Sequence, residues 1–310
     1  MDVSRTRRRY YDDVHYSPEA AAERVMRKRT VADPWYQLIL DFLRRQDVPV
    51  EGHTVLEVGC GLGGFAAHLA RRGADVTAAD FSLSAVTTAA LLEREAGQNA
   101  PERLRHVTAD ARQLPFQDGA FDLVVCAETL EHTFALGDCL REFSRVCSPG
   151  GHAAVTVPNS LLSLPLDALI SRLGVGQPQS PVNYFSVRRA ATAAGFAVVD
   201  SYGANFCRLM FSEDVLPPAV RRVTEKLGAG AERILRRENP LWVLAAGTVG
   251  FLLHKPAEPA FARTGEVAAE GRLVQAASAR ARSLTARTDV SGASAMRPVT
   301  PMSSSCKASE

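Results

Sequence analysis

The stretch VLEVGCGLGGF, Val55 to Phe65, decides the fold. An apolar strand pattern, Thr54 to Val58, runs into a cluster of glycines. A helical pattern then covers Gly64 to Arg72, and Gly73 suits the cap that ends it. Glycines let the backbone turn tightly and let a ligand come close to it. The helix N-terminus that follows offers free N–H groups and partial positive charge. Strand, glycine turn and helix N-terminus together form the ligand-binding corner of an α/β sheet.

Two fingerprints overlap here. Gly59, Gly61 and Gly64 fit G-x-G-x-x-G, which cradles the pyrophosphate of a dinucleotide. Glu57, Gly59, Gly61 and Gly63 fit E-x-G-x-G-x-G, associated with S-adenosylmethionine (SAM), whose carboxylate and adenosine need the same open backbone. The glycines do not decide between them. Nor does Asp80, about 20 residues on, because an acid there binds ribose hydroxyls in both ligand classes.

Outward from this corner the chain alternates. Strands are predicted at Asp75 to Ala79, Leu104 to Thr108, Phe121 to Cys126, His152 to Val157, Phe196 to Gly203 and Thr248 to His254. Helices are predicted from Ser82 toward Glu95, over Ala135 to Val146 and over Ser186 to Ala194, with SPGG (Ser148 to Gly151) as a turn. Such alternation argues for a parallel sheet with right-handed crossovers. Two helical patterns precede it, at Ser17-Pro18-Glu19 and in PWYQLILDFLRR, where Trp35, Leu38, Ile39, Phe42 and Leu43 fall on one face. A charged helix is predicted around Pro218 to Arg237.

The 310 residues, 46% apolar and 23% charged, suit a globular protein with a sizeable core. The net charge of +2 and the lack of a separate RNA-binding module argue against a nucleic-acid partner. Cys60, Cys126, Cys139, Cys147, Cys207 and Cys306 form no C-x-x-C pair, so their spacing gives neither a zinc site nor a redox motif. No signal-peptide pattern opens the chain, and the apolar run near Leu241 to Leu253 is too short and glycine-broken to span a membrane. A cytoplasmic location is expected. The basic run Arg5 to Arg9 reads as a solvated arm, or as a contact for an anionic or membrane surface.

The later motifs discriminate between the ligand classes. TADA (Thr108 to Ala111), LPFQDGAFDLVVC (Leu114 to Cys126), SRVCSPGG and YFSVRRAATAAGF follow the glycine loop in order. In that order and spacing the chain resembles the class I SAM-dependent methyltransferases over about Val55 to Lys255. The resemblance implies a Rossmann-like, doubly wound sheet of seven strands, mostly parallel with an antiparallel last strand. It places Gly59, Gly61 and Gly63 along the methionine and ribose moieties of SAM, with Glu57 and Cys60 also among the cofactor-binding residues. Asp80 would take the ribose hydroxyls and Phe81 would pack on the adenine. Asp110 would accept from the adenine amino group, with the Ala111 backbone beside it, and Cys126 would contribute backbone.

AETLEHT, Ala127 to Thr133, follows the fourth strand, where this family places its acceptor site. Glu128, Glu131 and His132 form E-x-x-E-H, and on a helical turn these positions share a face. Three readings stand: a Mg²⁺ site that polarises an acceptor oxygen, a metal-free His132 base with Glu131, or a helix start with Glu131 on the dipole. The run is similar to that of the ubiquinone-pathway O-methyltransferases and small-RNA 2′-O-methyltransferases. Those families complete a metal site with a further histidine, where this chain has Asn183 in PVNYFS. His15 lies with Tyr10, Tyr11 and Tyr16 in a segment that would close over the ligands as a lid, or form a surface arm.

The organisation expected is an N-terminal arm and helical lid over 1–50 and a methyltransferase domain over 51–256. A lid insertion falls at about 159–185, and a low-complexity, disordered tail over 257–310. The insertion carries Leu161, Leu162, Leu164, Leu166, Leu169, Ile170 and Leu173, and NFCRLMF (Asn205 to Phe211) adds apolar bulk. These point to a small hydrophobic acceptor, methylated on a hydroxyl oxygen: a phenolic, natural-product, quinone or lipid-like compound. Alternatives are N- or C-methylation, SAM binding without methyl transfer, and a nicotinamide-dependent oxidoreductase. Nothing in the sequence sets the oligomeric state.

Overall fold

The structure is a computed structural model that describes residues 8–16, 34–96, 101–160, 179–204 and 246–257. The helix expected at Ser17, most of the insertion, the NFCRLMF stretch, the charged helix near 218–237 and the tail beyond 257 lie outside these residues.

A π-helical turn, Tyr10–His15, comes first, then α1 (Pro34–Arg45). The alternating part follows as β1 (Thr54–Val58), α2 (Gly64–Ala70), β2 (Asp75–Asp80), α3 (Leu83–Glu95), β3 (Leu104–Thr108) and β4 (Phe121–Ala127). It continues as a short α4 (Leu130–Thr133), α5 (Leu136–Val146), β5 (Cys147–Pro158), α6 (Tyr184–Ala193), β6 (Ala197–Ala204) and β7 (Thr248–His254). The seven strands form one sheet in the order β3-β2-β1-β4-β5-β7-β6. β3 through β5 are parallel, and β7 runs antiparallel between β5 and β6. The strand order reverses direction between β1 and β4. A crevice therefore opens above their carboxyl ends, the usual ligand position in such sheets.

Alternation along each strand sorts side chains to two cores. Val55, Leu123, Val125 and Leu252 face one side, against Leu38, Ile39 and Phe42 of α1 and Phe65 and Leu69 of α2. Leu56, Val58, Val124 and Cys126 face the other, against Leu140 and Phe143 of α5 and Val187 of α6. Each fully buried side chain of this size contributes about 1.5–3 kcal/mol relative to exposure. α1 comes so close to the sheet that a Cβ at Gly250 would sit 2.7 Å from both Leu38 and Phe42, and those side chains would have to shift.

Most element boundaries fall within a residue or two of the sequence reading, and two that differ have a clear cause. SPGG is part of β5, because Gly150 donates to the Lys255 carbonyl and Lys255 to that of Gly151, extending the ladder toward Cys147. α6 starts at Tyr184, because Asn183 and Ser186 form a capping box. The Ser82 cap is as expected, its Oγ accepting from the Ala85 N–H at 3.1 Å.

Candidate functional site

Parallel pairing of β1 with β2 sets Val58 beside Ala79, so the glycine loop and Asp80 leave the sheet side by side. Gly59 and Cys60 both donate to the Ala79 carbonyl, at 2.8 and 3.0 Å. Asp80 then accepts from the loop itself: Oδ2 from the Gly61 N–H and Oδ1 from the Ser82 N–H, both at 2.9 Å. Each carboxylate oxygen keeps a second lone pair for a diol. Burial raises the Asp80 pKa, as does the Asp12 carboxylate, while the backbone donors oppose the rise.

Glu57 departs from its expected place. It is buried on the α2 face of β1, behind the glycine loop rather than in the cavity wall. Its carboxylate takes the Ala66 N–H. The N-cap of α2 is Gly63, which has no side chain to do this. Burial pushes Glu57 up to about 8, with Asp80 adding to the effect. Gly63 and Cys126 also lie behind the wall. A Cβ at Gly63 would meet Ala89 and His106 rather than a ligand.

A cavity of about 330 Å³ opens between the glycine loop and the segment after β4, at the lower end of ordinary ligand-site volumes. Gly59, Cys60, Gly61, Asp80, Phe81, Asp110 and Ala111 reach it on the cofactor side. Asp110 is already engaged by a neighbour. Arg112 Nη2 donates to its Oδ2 at 2.6 Å, and Arg112 Nε and N–H to its Oδ1 at 2.9 Å. Burial alone would push Asp110 up, but these donors hold it below the usual carboxylate range. The Arg8 guanidinium covers the Phe81 ring at 4.5 Å.

On the opposite side the segment after β4 turns sharply. Glu128 adopts a left-handed backbone (φ 48°) and donates its N–H to the Thr156 carbonyl at 3.0 Å. α4 begins only at Leu130, so Glu128 does not share a helical face with Glu131 and His132. This removes the geometric basis of the Mg²⁺ reading. Among the described residues no three His, Cys, Asp or Glu side chains are grouped to hold a metal ion. Asn183 adds no ligand either: its Oδ1 accepts from the Phe185 and Ser186 N–H groups as the α6 cap.

Glu131 is buried and His132 is half-buried at the cavity wall, with Nε2 3.7 Å from Glu131 Oε1. Ser180 fixes this turn from outside, its N–H and Oγ both donating to the Glu131 carbonyl, at 2.7 and 2.9 Å. The insertion is pinched at its base, where the Ser160 N–H and Oγ donate to the Val182 carbonyl.

An aromatic wall completes the cavity, and the sequence reading did not assign it there. Tyr36 stacks on Phe65 with centroids 4.5 Å apart and rings 11° from parallel, and Trp35 meets Tyr36 edge-on. Helical spacing marked Trp35 as core, and no pattern tied it to the loop. The N-terminal segment also lies over the site. Asp12 accepts from Ser82 Oγ at 2.5 Å, and the Tyr11 ring meets His132 edge-on at 6.1 Å. His15 reaches the cavity too. The four described cysteines, Cys60, Cys126, Cys139 and Cys147, are free and buried.

Residues 56–155 match the family described as "Methyltransferase domain". These residues therefore carry a methyltransferase domain. Two relatives place this domain among bacterial sequences. Methyltransferase GfsG of Streptomyces halstedii is 33% identical over 149 residues, 47% of this chain and 51% of that protein. The ubiquinone biosynthesis O-methyltransferase of Alkalilimnicola ehrlichii is 32% identical over 157 residues, 50% of this chain and 62% of that protein. The chain thus spans about half the length of the curated relatives it matches. Among solved structures, phosphoethanolamine N-methyltransferase 2 of Haemonchus contortus in complex with SAM shares the methyltransferase fold. Its TM-score is 0.57 at 18% identity, covering 80% of this chain and 60% of that one. No helix among the described residues is long and apolar enough to cross a membrane.

Proposed function

We propose that the protein transfers a methyl group from SAM to a hydroxyl oxygen of a small, hydrophobic acceptor, with His132 as the proton acceptor and Glu131 as its partner. One observation carries the reading: His132 stands at the cavity wall across from the Asp80 and Asp110 side, backed by the buried Glu131 carboxylate 3.7 Å from Nε2. SAM, when bound, supplies an electrophilic methyl on a cationic sulfur. Asp80 and the Gly59 to Gly61 backbone would hold its ribose and methionine end, and Asp110, fixed by Arg112, would meet its adenine amino group. The Trp35, Tyr36 and Phe65 wall excludes water and aligns the acceptor, the main contribution an enzyme makes to an in-line displacement. As the acceptor oxygen bonds to the methyl carbon, its proton passes to His132, and Glu131 stabilises the imidazolium. The products are the methyl ether, the thioether S-adenosylhomocysteine and one proton. The aromatic wall and the leucines of the insertion support a phenolic or similarly apolar acceptor over a polar one. The similarity to ubiquinone-pathway O-methyltransferases supports oxygen as the atom methylated.

The test is mass spectrometry of source-cell extract incubated with SAM and the wild-type protein or His132→Ala. A gain of one methyl identifies the acceptor. His132→Ala is expected to lower turnover by about 10²–10⁴-fold with S-adenosylhomocysteine affinity unchanged. Full activity in the variant would remove the base, and binding of SAM with no methylated product would remove the transfer.

A further inference from the structure

The turn that carries His132 meets the cofactor loop at Thr129. Gly59 has no Cβ, and the Thr129 side chain occupies the space one would need. A Cβ at Gly59 would overlap Thr129 Oγ1 and lie 2.5 Å from its Cγ2. The same hydroxyl donates to the Ala127 carbonyl at 2.9 Å, which ties the side chain to the end of β4. The Thr129 carbonyl in turn accepts the His132 N–H at 3.0 Å. Thr129 therefore touches the glycine loop with its side chain and His132 with its backbone.

The backbone around it is under strain. Among the described residues, Asp47, Glu128 and Phe134 are the non-glycine residues with left-handed backbone, and the last two bracket this turn. Such conformations persist only where surrounding contacts over-determine them, and they cluster at functional sites. Here the contacts are the Glu128 N–H on Thr156, the Ser180 bonds to Glu131, and Thr129.

We propose that Thr129 is a positioning residue for His132: its side chain, wedged against Gly59 and bonded to Ala127, sets the imidazole relative to the cofactor loop. The proposal rests on the methyl-transfer reading for its purpose. In-line transfer needs the base placed relative to the sulfonium carbon, and the glycine loop is what places the cofactor. A displacement of about 1 Å in such a geometry costs on the order of 100-fold in rate.

The experiment uses the full chain, labelled with ¹³C-histidine, carrying Thr129→Ala, Thr129→Val or Thr129→Ser. His132→Gln assigns the His132 resonance by its disappearance. Loss of the hydroxyl in the Ala and Val variants is expected to shift and broaden the His132 ring resonance while the other histidines stay in place. Thr129→Ser keeps the Ala127 bond and is expected to restore it. Calorimetry with S-adenosylhomocysteine should show affinity within about threefold of wild type in Thr129→Ser. An unmoved His132 resonance in Thr129→Ala and Thr129→Val would overturn the proposal, as would a Ser variant no better than Ala. Failure of the base reading is seen elsewhere, as full activity of His132→Ala, and leaves the resonance test intact.

Discussion

Gly59→Ala is the sharpest perturbation of this site. Two costs add. Gly59 sits at φ 77°, in the left-handed region, where an alanine loses roughly 1–2 kcal/mol. The new methyl also needs space that Thr129 fills, with Cγ2 at 2.5 Å and Cβ at 2.8 Å from it and Oγ1 overlapping. Overpacking of this kind costs about 1–3 kcal/mol. The sum, about 2–5 kcal/mol, is a large share of a typical domain stability of roughly 5–15 kcal/mol. Urea denaturation of wild type, Gly59→Ala, Thr129→Ala and the double variant would measure it. Thr129→Ala removes Oγ1 and Cγ2 but leaves Cβ, so the double variant should recover most of the steric cost and none of the backbone cost. A coupling energy of about 1–2 kcal/mol between the two sites is expected. A loss below about 1 kcal/mol in Gly59→Ala, or no coupling, would refute the account of why glycine stands there.

Other outcomes follow from the same geometry. Asp80→Ala should weaken S-adenosylhomocysteine binding by about 1–3 kcal/mol in calorimetry, because it removes the acceptor at the ribose position; unchanged affinity would mean the site is misplaced. Glu57 is held near 8 in the folded chain against 4.5 for an ordinary glutamate. The folded state therefore binds the extra proton between those values, and stability falls as pH rises through that window, by at most about 1.4 kcal/mol per pH unit. Glu57→Gln should flatten that slope in urea titrations at pH 5 and 8, and parallel profiles would contradict the burial argument. Asn183→Ala should lose about 0.5–2 kcal/mol of stability with Asp restoring most of it, because the side chain caps α6.

Much of the fold was legible because its signals are local. The apolar run into β1, the glycines after it and the Ser82 cap each depend on a few neighbouring residues. Strand–helix alternation is likewise enough to require parallel pairing. Once β2 pairs with β1, Asp80 must emerge beside the glycine loop, so that part of the site was legible too. The E-x-x-E-H pattern failed for an equally local reason: its spacing assumes a continuous helix, and a left-handed glutamate at position 128 breaks it. Nothing in the sequence marks a non-glycine residue for that conformation.

The sequence by itself determined the sheet, the glycine loop and the ligand class, because periodicity and turn chemistry are written residue by residue. The tertiary structure alone decided which side chains meet. Setting β4 beside β1 brings Thr129 against Gly59 and His132 across from Asp80, although long stretches of chain separate them. It also turned Glu57 inward to serve α2, gave Asp110 to Arg112, and brought Trp35 and Tyr36 against Phe65. Helical or strand spacing tells which face of an element is buried. Which partner buries it depends on strand order and on how closely backbones can approach, and these are properties of the assembled chain.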